Sequence, residues 1–235
     1  MKDSKAYYDH LAATYQSELN SRVQYLTAID DYIVKSLNDD VISNYLDIGA
    51  GDGSRSLKIA KNISVKRKVF LIDNSSKMLE KVKKLENVKV LNESVFDFNS
   101  TAKFSLITCL WNVIGHFDSK EARVHLFKKV STLLESNGVF IFDVNNRYNI
   151  NHYGYRNVEQ NIKNDNLNVK DAGWYTLGEE LNQTKVYIHS PFDIYDYIKE
   201  TDLIIEEINY IDYSTGESKS TFFEGQLVYK IRKPL

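Results

Sequence analysis

An α/β fold, a mostly parallel sheet covered by helices on both faces, is what this sequence predicts. Short apolar strands alternate with amphipathic helical stretches from Tyr45 to Val144, the rhythm of a doubly covered parallel sheet. The first of these strands runs straight into a glycine turn, Gly49-Ala50-Gly51-Asp52-Gly53. The only two prolines, Pro191 and Pro234, leave long stretches free to form regular structure.

Residues Ser4 to Leu37 read as helical. Leu11, Tyr15 and Leu19 recur every four residues, as do Tyr25, Ile29, Ile33 and Leu37. A break at Asn20-Ser21, with Ser21 as the next cap, divides the stretch into two N-terminal helices. Tyr45 to Ile48 is a short buried strand, Ser54 to Lys61 a helix, and Lys68 to Ile72 a second strand. Ser75 to Leu85 is a helix with Met78, Leu79 and Val82 on one face, followed by strands at Val88 to Leu91 and Phe104 to Leu110. Ser119 to Leu134 is a long helix that turns Val124, Phe127, Val130, Leu133 and Leu134 inward. Asn137-Gly138 closes it, with glycine free to turn left-handed, and Val139 to Val144 is the fifth strand.

The rhythm then stops. Asn145 to Lys185 is rich in Asn, Tyr and Gly and has no clear helical period, which marks an insertion or lid. Gly173 to Thr176 and Lys185 to Ile188 read as two short strands within or beside it. Ser190 to Glu200 is a helix with Ser190 as cap and Pro191 in its first turn. Leu203 to Tyr213 and Thr221 to Arg232 are long strands joined near Thr215-Gly216. The expected organisation is one domain: an N-terminal helical cap (1–40), a core (41–145), the insertion (146–189), and a C-terminal helix with strands (190–235).

With 43% hydrophobic and 26% charged residues, the 235-residue chain can bury a large core and keep a wetted surface. A formal net charge of −2 lacks the basic excess of a nucleic-acid binder. One cysteine, Cys109, allows neither a disulfide framework nor a cysteine-rich metal site within the chain. The polar start is no signal peptide, and no run approaches the roughly 18 apolar residues of a membrane span. A cytoplasmic protein without a nucleic-acid or membrane partner is expected, as a monomer or homodimer.

The segment that carries chemistry is Leu46-Asp47-Ile48-Gly49-Ala50-Gly51-Asp52-Gly53. A glycine turn between strand and helix lets backbone N–H groups approach a ligand closely. Three features narrow the ligand. Asp47 would repel a pyrophosphate and suits an ammonium group. Ser54 stands where the dinucleotide fingerprint wants a third small residue. Asp73 ends the next strand 20 residues after Gly53, the place from which a carboxylate holds ribose hydroxyls. S-adenosylmethionine (SAM), which has a ribose, an ammonium group and no phosphate, fits better than NAD.

At this point the chain resembles the class I SAM-dependent methyltransferases over roughly residues 40 to 145. Asp73-Asn74-Ser75-Ser76-Lys77-Met78-Leu79 is similar to that family's second motif, where the acid binds ribose and its successors flank adenine. Asn92 to Asp97 is similar to the adenine-edge segment, with Ser94 where many members have Asp, so Glu93 or the Val95 backbone can serve instead. Phe104 to Leu110, followed by Trp111 to His116, resembles the fourth motif, which lines the methyl-transfer site. Leu133 to Phe140 resembles the helix-turn-strand that follows. The resemblance implies a Rossmann-like, seven-stranded, mostly parallel sheet with the last strand antiparallel. It also implies cofactor contacts at Asp47, Gly49, Ala50, Gly51, Asp73, Asn74, Met78, Ser94, Val95 and Leu110.

On the acceptor side, His116 follows the fourth strand and is the candidate general base; the bland alternative is a local hydrogen bond at a helix start. Tyr8 and Tyr15 share one face of the first helix, and in resembling enzymes such a helix covers the cofactor. Trp111, Tyr148, Tyr153, Trp174 and Tyr175 form an aromatic set suited to a sulfonium or cationic amine, although aromatics also fill cores. Asn112 and His189 complete the candidate substrate set. His125 reads as structural, and no metal site is predicted. Methyl transfer needs alignment and desolvation of the nucleophile more than a catalytic triad. The reading is methyl transfer to N or O of a small-molecule acceptor. Adenine-amino and cytosine-5 methylation lack their motifs, and a metal-dependent catechol reaction lacks placed acids. An NAD-dependent reductase, a non-catalytic SAM-binding protein and aminopropyl transfer remain as alternatives.

Overall fold

Three helices open the chain in the computed structural model, which describes residues 3–37, 40–179 and 181–235. They are α1 (Ser4–Leu11), α2 (Tyr15–Ser21) and α3 (Val23–Ser36). The remaining residues of the expected cap and insertion, 1, 2, 38, 39 and 180, lie outside the described residues. Asp3 caps α1 by accepting the Ala6 N–H at 2.7 Å. The predicted pair of helices is thus divided once more, at residues 12–14, and the other break falls at Arg22. Ser21 does not cap α3; its hydroxyl donates back to the Glu18 carbonyl at 2.7 Å.

The α/β rhythm follows: β1 (Tyr45–Ile48), α4 (Ser54–Asn62), β2 (Val69–Asp73), α5 (Ser76–Leu79), β3 (Val88–Asn92) and β4 (Phe104–Cys109). A single 3-10 turn, Val113–His116, precedes α6 (Lys120–Leu133) and β5 (Leu134–Val144). The insertion supplies α7 (Ile150–Tyr153), α8 (Tyr155–Asn166), β6 (Trp174–Leu177) and β7 (Thr184–Tyr187). The chain ends with α9 (Asp193–Ile198), β8 (Ile204–Ile211), β9 (Ser218–Lys219) and β10 (Gln226–Arg232).

Eight strands form one sheet in the order β3-β2-β1-β4-β5-β10-β8-β9. The first five are mutually parallel. β10 is antiparallel to both β5 and β8, between which it lies. The eighth strand beyond the expected seven is β9, a two-residue edge piece. Successive residues serve opposite faces, as strand geometry dictates. Phe70, Ile72, Phe140 and Phe142 join one core with Phe127 of α6 and Tyr197 of α9. Val69, Leu71, Val139 and Ile141 join the other with Ile29 and Ile33 of α3 and Ile59 of α4. Among the described residues no helix is long and apolar enough to cross a membrane.

Several boundaries differ from expectation for local reasons. The helix predicted over Ser75 to Leu85 is only four residues long, because its bonding tightens to the Lys81-to-Met78 and Val82-to-Leu79 pattern. Ser75 still caps it, accepting the Met78 N–H at 3.3 Å. Helix α6 ends as expected, but Leu134 is already extended and begins β5. Asn137, with φ 64°, takes the left-handed position assigned to Gly138. Helix α9 starts at Asp193, not Ser190, with no side-chain cap at its start. The last strand starts at Gln226 rather than Thr221.

The insertion holds a 12-residue helix, α8, that the sequence period concealed, since Val158 is its one buried residue. A buried arginine ties the insertion down. Arg147 pairs with Asp165 of α8 and Asp193 of α9, each at 2.9 Å, and donates to the Ile188 carbonyl at 2.7 Å. Burial alone would raise the Asp193 carboxyl, but the Arg147 guanidinium holds it below its ordinary value. His189 is fully buried beside Tyr187 and Tyr197, with neither ring nitrogen hydrogen-bonded. Burial pushes its pKa down to about 3.

Arg147→Met should lower the unfolding free energy by about 3 kcal/mol in urea titration, because two partly buried carboxylates lose their cation. His189 should make the folded state acid-sensitive. As pH falls below 6.5 the unfolded chain binds a proton that the folded chain refuses until about pH 3. His189→Gln removes this term. Between pH 7 and pH 5 the variant should therefore gain about 2 kcal/mol relative to the parent in urea titrations; a constant difference would deny the buried neutral imidazole.

Candidate active site

The first wall of the site is the turn between β1 and α4. Gly49 (φ 72°) and Gly51 (φ 58°) take left-handed conformations that a side chain would strain. A Cβ on Gly49 would also stand 2.6 Å from Val113. The turn is tied to the end of β2: the Gly49 and Ala50 N–H groups donate to the Ile72 carbonyl at 2.9 and 3.1 Å. The Gly51 N–H donates to Asp73 Oδ2 at 2.8 Å, and the Ser75 N–H to Asp73 Oδ1 at 2.8 Å. Burial raises the Asp73 carboxyl, and these amides pull it back. Each Asp73 oxygen keeps a second lone pair for a ligand. Helix α1 docks beside it, where Asp9 accepts the Ser75 hydroxyl at 2.6 Å.

The opposite wall follows β4. Trp111 (φ 59°) and Asn112 (φ 56°) are both left-handed, a conformation costing about 1–2 kcal/mol per non-glycine residue. Asp143, fully buried on β5, holds them there. Its Oδ1 accepts the Trp111 N–H at 2.6 Å, its carbonyl accepts the Asn112 N–H at 3.2 Å, and its Oδ2 accepts the Tyr25 hydroxyl at 2.9 Å. Burial raises the Asp143 carboxyl, with Arg55 opposing. Sequence reading passed over Asp143, although a lone carboxylate in the apolar run Phe140-Ile141-Phe142-Asp143-Val144 was the available signal.

Between these walls lies a cavity of 710 Å³. Of the expected cofactor residues, Gly49, Gly51, Asp73, Asn74, Met78, Ser94, Val95 and Leu110 line it, as does Glu93. Of the acceptor-side residues, Tyr8, Tyr15, Trp111, Trp174 and His116 line it. The Tyr8 hydroxyl meets His116 Nε2 at 3.0 Å. Burial lowers the His116 pKa to about 4, with the Lys185 backbone opposing, so the ring is neutral at pH 7. Asp171, Thr184 and Lys185 of the insertion also line the cavity; no motif in the sequence pointed to them.

Seven expected residues, Tyr153 and Tyr175 among them, do not line the cavity. Asp47 is buried, accepting the Ser56 hydroxyl and, at 2.5 Å, the Thr108 hydroxyl; burial raises its pKa to about 6. With Ala50 it borders a small adjoining pocket of 20 Å³ that also touches Gly49, Arg55 and Trp111. Asn112 turns its side chain back to accept the Asn145 N–H at 3.0 Å. Tyr148 donates to Asp165 at 2.6 Å, and His189 is sealed beneath the insertion. At Asp47, Asn112, Tyr148 and His189 a nearby internal donor, acceptor or apolar packing site claims the side chain.

Residues 46–138 match the family described as the methyltransferase domain. An uncharacterised protein of Methanocaldococcus jannaschii is 26% identical over 231 residues, 96% of this chain and 84% of that one. Solved structures share the fold. A SAM-dependent methyltransferase from Clostridium acetobutylicum superposes with TM-score 0.69 at 20% identity, over 97% of this chain and 99% of the other. The CcbJ methyltransferase of Streptomyces caelestis gives 0.71 at 14% identity over 100% of both chains. The N-methyltransferase NodS of Bradyrhizobium japonicum, bound to S-adenosylhomocysteine, gives 0.59 at 15% identity over 88% and 86%. The matched family segment carries the glycine turn, Asp73 and the residues after β4. Residues 46–138 thus match the methyltransferase-domain family, within a chain whose fold is shared along its length with solved SAM-dependent methyltransferases.

Proposed function

We propose that the chain transfers the SAM methyl group to a nitrogen or oxygen of a small-molecule acceptor. The observation that carries this reading is one shared cavity. His116, Trp111 and the insertion's Trp174 face the same 710 Å³ as Gly51 and Asp73. Pockets of roughly 300–1,000 Å³ suit small ligands, and Asp171, Trp174, Thr184 and Lys185 of the insertion form part of this one's wall.

Bound SAM supplies an activated methyl on a sulfonium. The chain's residues do the rest. Asp73 would hold the ribose hydroxyls with its free lone pairs, and Asn74, Met78, Ser94 and Val95, which line the same cavity, would flank the adenine. The glycine turn lets the backbone come close. Asp47, which borders the small adjoining pocket and not the main cavity, would reach the ammonium of a bound SAM through a bridging water. Tyr8, Tyr15, Trp111 and Trp174 exclude water and give the sulfonium aromatic faces. Neutral His116, whose Nε2 meets the Tyr8 hydroxyl at 3.0 Å, accepts the proton of the attacking N–H or O–H group through that hydroxyl, which passes on its own proton. The lowered pKa of His116 makes it a weak base, so most of the rate comes from alignment.

Asp73→Ala should weaken S-adenosylhomocysteine binding about ten-fold or more in calorimetry, since charge-assisted ribose bonds are lost; unchanged affinity would sink the ribose role. His116→Asn should keep that affinity while methyl transfer from labelled SAM falls across a panel of amines, sugars and amino acids. Parent-like turnover with every accepted substrate would make His116 structural.

A further inference from the structure

The buried carboxylate behind the cavity has no place in the binding scheme above, yet it touches the site's least relaxed backbone. Asp143 is fully buried on β5, the last of the five parallel strands, between β4 and β10. Both Asp143 acceptors toward the turn, Oδ1 and the main-chain carbonyl, take successive N–H groups of Trp111 and Asn112. Both residues sit at positive φ without being glycine, and such conformations persist only where surroundings over-determine them. The turn decides where three groups stand. It sends the Trp111 ring to within 5.7 Å of Tyr15 across the cavity, sets Val113 against Gly49, and starts the 3-10 turn that presents His116. Asp143 itself is oriented from the far side by the Tyr25 hydroxyl at 2.9 Å, and Tyr25 belongs to α3, part of the N-terminal helical layer.

We propose that Asp143, oriented by Tyr25, is a positioning residue of the methyl-transfer site: it clamps the left-handed Trp111–Asn112 turn and so sets Trp111, Val113 and His116 against the cofactor. The chain Tyr25–Asp143–Trp111 runs from the N-terminal helices through the sheet to the cavity. The proposal rests on the functional reading for its purpose, but its geometry can be tested without any methyl acceptor.

The test uses a Trp174→Phe background, which leaves Trp111 as the single tryptophan. Acrylamide quenching of Trp111 is measured in the ligand-free protein, and S-adenosylhomocysteine affinity by calorimetry. In Asp143→Ala the quenching constant should rise about two-fold or more as the turn loosens, and affinity should fall about five-fold. Asp143→Asn should restore both, because its amide oxygen can accept the Trp111 N–H while its nitrogen donates to the Tyr25 oxygen. A folded Asp143→Ala protein with parent-like quenching overturns the proposal, as does an Asp143→Asn protein that behaves like the alanine variant. If Asp143→Ala does not fold, Tyr25→Phe carries the test, with a smaller rise in quenching expected and no rise overturning the clamp. Loosened Trp111 in a protein that never binds S-adenosylhomocysteine would count against the functional reading and not against the clamp.

Discussion

The 2.8 Å bond from the Gly51 N–H to Asp73 joins the ends of two neighbouring parallel strands, and the cavity is organised around that junction. It requires β1 and β2 to stop in register, with Ile48 opposite Ile72. It also requires a turn free to take positive φ, and a carboxylate whose burial is compensated by backbone donors. Remove the register and the acid and the glycines no longer face one another. Remove the glycines and Val113, which fills the space beside Gly49, has to move, and the wall after β4 moves with it. Cofactor wall and acceptor wall therefore meet through packing at one glycine.

The parallel core was legible because its signal is periodic and local. Alternating apolar residues such as Val69, Phe70, Leu71 and Ile72 serve two buried faces, and each strand ends in a recognisable turn. The glycine turn was legible for a related reason, since Gly49 and Gly51 take positive φ that few other residues tolerate, and Asp73 ends the neighbouring strand beside them. What escaped was set by distant contacts. Asp143 is chemically conspicuous only once β5 is known to pass behind Trp111. Asn112 reads as an acceptor ligand until the Asn145 N–H comes within 3.0 Å of it. Helix α8 has a polar sequence that buries a single residue, too little for periodicity to register. Arg147 and His189 became structural because the insertion folds down over them, an outcome no local pattern encodes.

Two buried polar systems divide the labour in this molecule. Around Arg147, charges of opposite sign neutralise one another and fasten the insertion to α9. Around Asp143, a carboxylate is met by neutral donors, which fix direction without cancelling charge. The first arrangement resists separation of elements, whereas the second resists rotation of a single turn. Their placement follows the demands of each region: a cover has to stay attached, and a reactive wall has to hold its angle.

The position of β10 carries a consequence for biosynthesis. Residues 226–232 follow all the other strands of this sheet in sequence, yet they lie between β5 and β8 in its interior. Until they emerge, β5 has an open apolar edge, and β8 has no path into the sheet. A nascent chain halted before Gln226 would expose the kind of unpaired edge that templates association with other chains. Strands β1 to β5 can pair as they are synthesised, but closure of the sheet waits for residues 226–232, so the edge of β5 stays open while the insertion, α9, β8 and β9 are made.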